Sequence, residues 1–208
     1  MTDKAFVLGN GESRQGIKIA DLKQHGKVYA CNAVYRTEEP DALVAVDPKM
    51  VMEISETEYP VTHEVWSNYN GQFEKIERAK KYIKWFTPSL GWSSGPTALK
   101  LAADRKHSTI YILGFDYQGH PRGTNPNHYA YNNMFKNSRN YKSAGEQAIF
   151  YGNWMNQTKR ILSDYPQIQF VRVVPKNSFK PQDLEFYTNF KHLDIEEFLN
   201  MHSLRVQP

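Results

Sequence analysis

The chain has 208 residues, 40% of them hydrophobic and 23% charged, with a formal net charge of +4, which suits a globular protein with one substantial core. Its one cysteine, Cys31, excludes a disulfide framework and a cysteine-rich metal site, and points to a reducing compartment such as the cytoplasm. Met1-Thr2-Asp3-Lys4 leads straight into an apolar run, so no signal peptide is expected, and no run nears the roughly 18 residues of a bilayer span. The mild basicity is compatible with a polyanion such as duplex DNA, although Lys and Arg form no compact block.

In chain order, Ala5-Phe6-Val7-Leu8 is a short apolar run closed by glycine and reads as a buried strand. Gly9-Asn10-Gly11-Glu12-Ser13 follows directly. Glycines at a strand end let the backbone approach a ligand, and the N–H groups exposed there favour anions. Arg14 stands where the dinucleotide fingerprint has its third glycine, and no Gly-Lys-Ser/Thr follows as in a Walker loop, so a plain turn stays open beside the functional reading. Val28-Tyr29-Ala30-Cys31 is the second strand; Asn32 after it is either a helix cap or an amide that reads a base or ribose edge. Residues 43–46 form the third strand, ending on Asp47-Pro48. A carboxylate there caps a helix or faces the ligand crevice of an open α/β sheet, as a sugar ligand or a general base.

Ser93-Ser94-Gly95-Pro96 opens a helix over 95–103, with Ser94 as the expected cap and free N–H groups suited to phosphate. Thr109 to Leu113 is the clearest strand and ends on Gly114-Phe115-Asp116-Tyr117. Tyr117 to Asn140 carries glycines, prolines and several asparagines without periodicity, as a lid or binding loop does. A helix over 144–163 and a strand over 167–174 complete the pattern. Strands alternating with helices predict an α/β, Rossmann-like single domain over 1–208: a mainly parallel sheet, helices on both faces, and a lid at about 117–140. Gly, Asn, Ser and Asp recur at the ends of these strands, along one edge of one sheet.

Taken together, these segments resemble the bacterial lipooligosaccharide sialyltransferases. That family has Gly-Asn-Gly-Pro-Ser after a strand, Cys-Asn-x-x-Tyr about 20 residues on, Ser-Gly at a helix start, Gly-Ile-Asp-Phe-Tyr after a strand, and a late Pro-Asn-Ser. The matching segments are Gly9-Asn10-Gly11-Glu12-Ser13, Cys31-Asn32-Ala33-Val34-Tyr35, Ser94-Gly95, Gly114-Phe115-Asp116-Tyr117 and Pro175-Lys176-Asn177-Ser178. The resemblance implies a glycosyltransferase that takes a nucleotide-sugar donor, UDP- or CMP-linked. It implies that Gly9, Asn10, Gly11, Ser13, Asn32, Ser94 and Gly95 hold the nucleotide, with Asp116 at its edge. The chain departs from the family at three points: Glu12 replaces the proline, setting a negative charge near the phosphate; Gln118 replaces a tyrosine that supports the leaving phosphate; and residues 140–143 hold no histidine.

The base therefore has to be sought among this chain's own residues. Asp47, on a strand end, ranks first for its rigidity, and His128, in the expected lid beside Asn127 and Tyr129, ranks second. His25, His63 and His107 lie away from the predicted ligand edge, His192 and His202 would reach it only if the C-terminal region folds back, and His120 shares the expected lid with His128. No Asp-x-Asp triad marks a metal site, although a lone aspartate is able to ligate Mg²⁺. Similar short proteins occur in tailed phages, some linked to sugar transfer onto DNA. With Lys136, Arg139, Lys142, Lys159 and Arg160 as a basic face, a hydroxymethylated DNA base is the expected acceptor, flipped into a tyrosine-rich pocket. A glycan acceptor, a pterin- or nucleotide-diphosphokinase-like enzyme and a non-catalytic nucleotide-binding module are the alternatives.

Overall fold

The structure is a computed structural model and describes residues 3–124 and 128–206; residues 125–127 of the expected lid, Asn127 among them, lie outside the described residues. The strands are β1 (Lys4–Leu8), β2 (Lys27–Cys31), β3 (Ala42–Val44), β4 (Val65–Asn68), β5 (Lys84–Phe86), β6 (Thr109–Leu113), β7 (His120–Pro121), β8 (Tyr129–Ala130), β9 (Gln169–Val174) and β10 (Phe190–Asp194). Eight of them form one sheet in the order β10-β9-β6-β1-β2-β3-β4-β5, with every pairing parallel. The helices are α1 (Ile19–Leu22), α2 (Pro48–Ser55), α3 (Tyr59–Thr62), α4 (Glu77–Tyr82), α5 (Ser94–Asp104), α6 (Gly152–Asp164), α7 (Gln182–Glu185) and α8 (Ile195–Met201).

Strands covered on both faces must be apolar on both, which is why β1, β2 and β6 read as unbroken hydrophobic runs. Ala5 and Val7 pack with Tyr29, Ile112 and Leu99 of α5 in one layer, while Phe6 and Leu8 pack with Val28, Ile54 of α2 and Phe198 of α8 in the other. Each fully buried Val, Leu, Ile or Phe contributes roughly 1.5–3 kcal/mol. The fold is the Rossmann-like α/β sheet expected. Strand order reverses between β1 and β6, and open α/β sheets form their ligand crevice outside the strand ends at such a point.

Several expectations are corrected. Helix α6 begins at Gly152, not near 144. Residues 146–148 run instead as a strap against β8: Tyr131 N donates to Glu146 O (2.9 Å) and Ala148 N to Tyr129 O (2.8 Å). The lid segment is thus not structureless, since β7 and β8 pair as an antiparallel ribbon and the strap lies beside them. The third strand stops at Val44, because Val46 N turns to the Ser94 hydroxyl (3.1 Å). Ser94 is not the cap of α5 but its first residue; Ser93 occupies the cap position without a side-chain bond. Strands β4, β5 and β10 went unforeseen, since Ser67, Lys84, Lys191 and His192 interrupt their apolar pattern.

A candidate functional site at the sheet switch point

Register builds the site. Leu8 pairs with both Ala30 and Leu113, so β1, β2 and β6 end level, and Gly9, Cys31 and Gly114 fall in a row. Cys31 pairs with Val44, which brings Asp47 just beyond the same edge. A cavity of about 440 Å³ opens there, and its lining includes Gly9, Asn10, Gly11, Asn32, Asp47, Ser94, Gly95 and Asp116 among the residues expected from sequence. Ser13 and His128 are not part of that lining.

The two glycines serve a chain crossing as well as the cavity. Gly9 N donates to Leu113 O (2.8 Å) and Gly11 N to Gly114 O (2.9 Å). A Cβ on Gly9 would sit 2.5 Å from Gly114 O, and one on Gly11 would sit 2.4 Å from Asp116 Oδ2. Two buried arginines brace this crossing. Arg14, at the third-glycine position, donates from Nε to Gly9 O (2.6 Å). Arg172 of β9 donates to Phe115 O (2.8 Å), Asp116 O (3.2 Å) and Phe179 O (3.0 Å). Neither was foreseen as a site residue, although a lone Arg inside the apolar strand Gln169–Val174 is a signal of a buried ion with a task.

Asp116 is occupied within the protein. Its Oδ2 accepts from Ser13 N (3.1 Å) and Asn132 Nδ2 (3.0 Å), and its Oδ1 accepts from the Ser13 hydroxyl. Ser13 and Asp116 thus fix the shape of the glycine turn rather than face the cavity together. Asn10 donates from Nδ2 to Cys31 O (3.2 Å), while its Oδ1 is buried with no hydrogen-bond partner among the described residues. Asn32 sits at φ 56°, a left-handed conformation that asparagine tolerates better than most residues. Its Oδ1 accepts from Ser94 Oγ (2.8 Å), so Nδ2 is the atom left for a ligand. Ser94 and Gly95 open α5, whose first N–H groups have no partner inside the helix. Asp47 is exposed at the mouth and caps α2, its Oδ1 accepting from Lys49 N (2.9 Å).

The charge expected at the phosphate is neutralised from elsewhere. Glu12 pairs with His120 of β7 (2.7 Å) and with Lys136. Burial acts to raise its carboxyl, but the hydrogen bonds from Lys136 and His120 outweigh it and hold the group below the ordinary carboxylate range. The far end of the expected lid is docked as well. Arg36 grips Glu53 through Nε and Nη2 (both 2.7 Å), Asn140 donates to Glu53 (2.6 Å), and Arg36 also reaches Ser138 Oγ (2.9 Å) and Arg139 O (2.9 Å).

None of the seven histidines lines the cavity. Among the described residues, His128 is engaged through its carbonyl, which accepts from Arg122 N (2.9 Å), and His202 lies in the core against Phe6 and Tyr111. Burial pulls His192 down to about 4. The five cations expected to form a basic face all have partners: Lys136 with Glu12, Arg139 with Glu56 (3.6 Å), Lys142 with Gln147 O (3.1 Å), Lys159 with Asp183 (3.0 Å) and Arg160 with Asp164 (3.8 Å). Among the described residues, no group of three or more His, Cys, Asp or Glu stands close enough to hold a metal ion, and no helix is long and apolar enough to cross a membrane.

Sequence reading missed one wall altogether. Trp92, Asn153, Trp154 and Gln157 line the cavity, the last three at i, i+1 and i+4 on one face of α6. Tyr131 also lines it, and burial pushes its phenol up to about 12, so it stays protonated. Burial likewise pushes the Cys31 thiol up to about 12, despite nearby Arg14, which leaves it inert.

Fold and cleft together define a doubly wound α/β protein with its crevice at the switch point. No family model matches the sequence, and no curated protein matches it. Among solved structures, the fold is similar to that of the sialyltransferase CstII from Campylobacter jejuni, solved in complex with a substrate analogue, cytidine-5′-monophosphate. The two share a TM-score of 0.51 at 15% identity, over 89% of this chain and 85% of that one.

Proposed function

We propose that this chain is a glycosyltransferase that moves a sugar from a nucleotide-sugar donor to an acceptor hydroxyl. The observation that carries the reading is the cavity at the β1/β6 switch point, where a glycine turn, an unsatisfied asparagine and a helix N-terminus converge. The cytidine nucleotide bound to the structurally similar CstII fits the same reading and makes a CMP-linked donor the first to test, with UDP-linked donors next. The phosphate would lie on the N–H groups of Ser94 and Gly95, where the helix dipole favours an anion. The base and ribose would lie between Gly9 to Gly11 and Asn32. Asn10 Oδ1 and Asn32 Nδ2 would supply an acceptor and a donor.

The reaction is a direct displacement. The acceptor oxygen attacks the anomeric carbon, the bond to the phosphate oxygen breaks, and a base takes the acceptor proton. Asp47 suits that role, since it stands on the cavity wall with Oδ1 alone engaged among the described residues, whereas Asp116 already accepts three hydrogen bonds and His128 lies off the wall. Tyr131, held protonated, is suited to donate to the departing phosphate in place of the family tyrosine replaced by Gln118. With the five surface cations already partnered, we infer a saccharide hydroxyl as acceptor ahead of a hydroxymethylated DNA base. Retention of Mg²⁺ would fall to Asp47 alone and is not needed for this scheme.

The test is calorimetry with CMP, UDP and ATP, followed by hydrolysis of their sugar conjugates. Nucleotide binding with release of free sugar supports the transferase. ATP-dependent pyrophosphate transfer overturns it in favour of a kinase. Tight binding without turnover favours a non-catalytic module, a reading helped by the absence of histidine from the cavity.

A further inference from the structure

The wall formed by α6 and Trp92 has no task in nucleotide binding, yet it adjoins the phosphate position. Gln157 Oε1 accepts from Ser93 N (3.0 Å), the residue before the α5 N-terminus. Whatever is joined to, or attacks beside, a phosphate held there must meet this wall. Its chemistry is amide and indole: Asn153 offers donors and an acceptor, Gln157 offers chiefly its Nε2 donors since its Oε1 already takes Ser93 N, and Trp92 and Trp154 offer apolar faces. Trp154 is half-buried against the core, so its ring is held in place. Hydroxyl groups that both give and take hydrogen bonds, on a ring with apolar C–H faces, match that combination.

Charge narrows the ligand further. The cavity lining contains two carboxylates, Asp47 and Asp116, and no Lys, Arg or His. One cation beside the wall, Arg160, lies off the lining, stacks over Trp92 (5.6 Å to the ring centroid) and faces Asp164. A carboxylate on the sugar would find no cation on this lining to pair with, which is unfavourable in a partly desolvated site.

We propose that Trp92, Asn153, Trp154 and Gln157 form a subsite for an uncharged saccharide ring. The assignment of that ring to donor or acceptor rests on the nucleotide-sugar reading; the subsite's chemistry does not. Calorimetry on the full chain tests it with UDP, UDP-glucose and UDP-glucuronate, which isolate one carboxylate, with CMP and CMP-N-acetylneuraminate, and with lactose as a free neutral saccharide. UDP-glucose should bind about tenfold or more tightly than UDP-glucuronate. Asn153→Leu should remove that advantage, and Asn153→Arg should narrow or reverse it. If UDP-glucose exceeds bare UDP, the ring is the donor's. If it does not, while lactose binds and loses binding in Asn153→Leu, the ring is the acceptor's. The proposal is overturned if an acidic sugar conjugate binds as tightly as the neutral one, above all if Arg160→Ala abolishes that binding. It is also overturned if Asn153→Leu changes neither arm. Absence of all nucleotide binding would sink the transferase reading alone. Lactose would then decide the subsite by itself: binding sensitive to Asn153→Leu supports it, and no binding overturns it.

Discussion

Two regions border the cavity and are held in opposite ways. Where residues 9–14 cross 114–116, backbone bonds backbone, no Cβ fits at Gly9 or Gly11, and buried Arg14 and Arg172 tie the carbonyls. The flap made of β7, β8 and the strap over 146–148 is held mainly by short ribbon pairing and by half-exposed side chains, with Glu12 holding His120 and Lys136. Partly exposed ion pairs contribute roughly 0–1 kcal/mol each, so the flap is expected to open before the crossing does, which hydrogen exchange measures. A frame that cannot yield suits the placing of a phosphate and a base; a cover with weak ties suits admission of a substrate.

The largest expected effect separates the two regions by chemistry. Asp47 stands on the sheet side of the cavity, at the start of α2, and His128 stands immediately before β8 in the flap. Asp47→Asn retains a good helix cap and should lower turnover by about 10²–10⁴-fold at saturating donor. His128→Ala should stay near full rate, and the opposite pattern would move the base to the flap.

Next in size is packing. Gly9→Ala drives a methyl against a backbone oxygen that cannot move aside and should destabilise by about 3 kcal/mol. Gly123, between β7 and β8, has φ 64° but nothing within 4 Å of its Cβ position among the described residues. Gly123→Ala should therefore cost about 1 kcal/mol, from conformation alone. Urea denaturation of both variants measures the contrast, and equal losses would erase it.

Nucleotide affinity should respond at the edge of the frame. Asn32→Ala should weaken binding by about 1–3 kcal/mol through loss of the amide. Asn32→Gly, which accepts φ 56° without strain, should lose the same affinity while keeping more stability. Unchanged affinity in both would remove Asn32 from the site.

The smallest effect concerns the latch. Because the Glu12 carboxyl is held below its ordinary value, its stabilising contribution is present above about pH 4.3 and is lost as pH falls through the folded-state value. Hydrogen exchange at β7 and β8, corrected for intrinsic rates, should rise over that interval. Glu12→Gln should raise exchange at neutral pH by the equivalent of about 0.5–1 kcal/mol and flatten the pH response. A variant that still shows the rise would place the switch elsewhere.

By itself the sequence determined the parts that depend on local patterning. Runs such as Phe6 to Leu8 and Ile110 to Leu113 are apolar on both faces because both faces are covered, so strands and fold class were legible. Glycine, asparagine and serine at strand ends marked the correct edge, since parallel strands in register end together. Only the tertiary structure decided which groups remain available there. Ser13 meets Asp116 across 103 residues and engages that carboxylate at the cavity edge, and Glu12 finds His120 108 residues away. Within the stretch read as helix from 144, residues 146–148 pair instead with β8, whose free edge lies beside them. The α6 wall was invisible for the same reason: Asn153, Trp154 and Gln157 look like any amphipathic turn until the packing of α6 beside α5 shows which face meets the cavity. Burial patterns are carried by neighbours in sequence, whereas the pairing of polar groups is chosen among residues that only folding brings within reach.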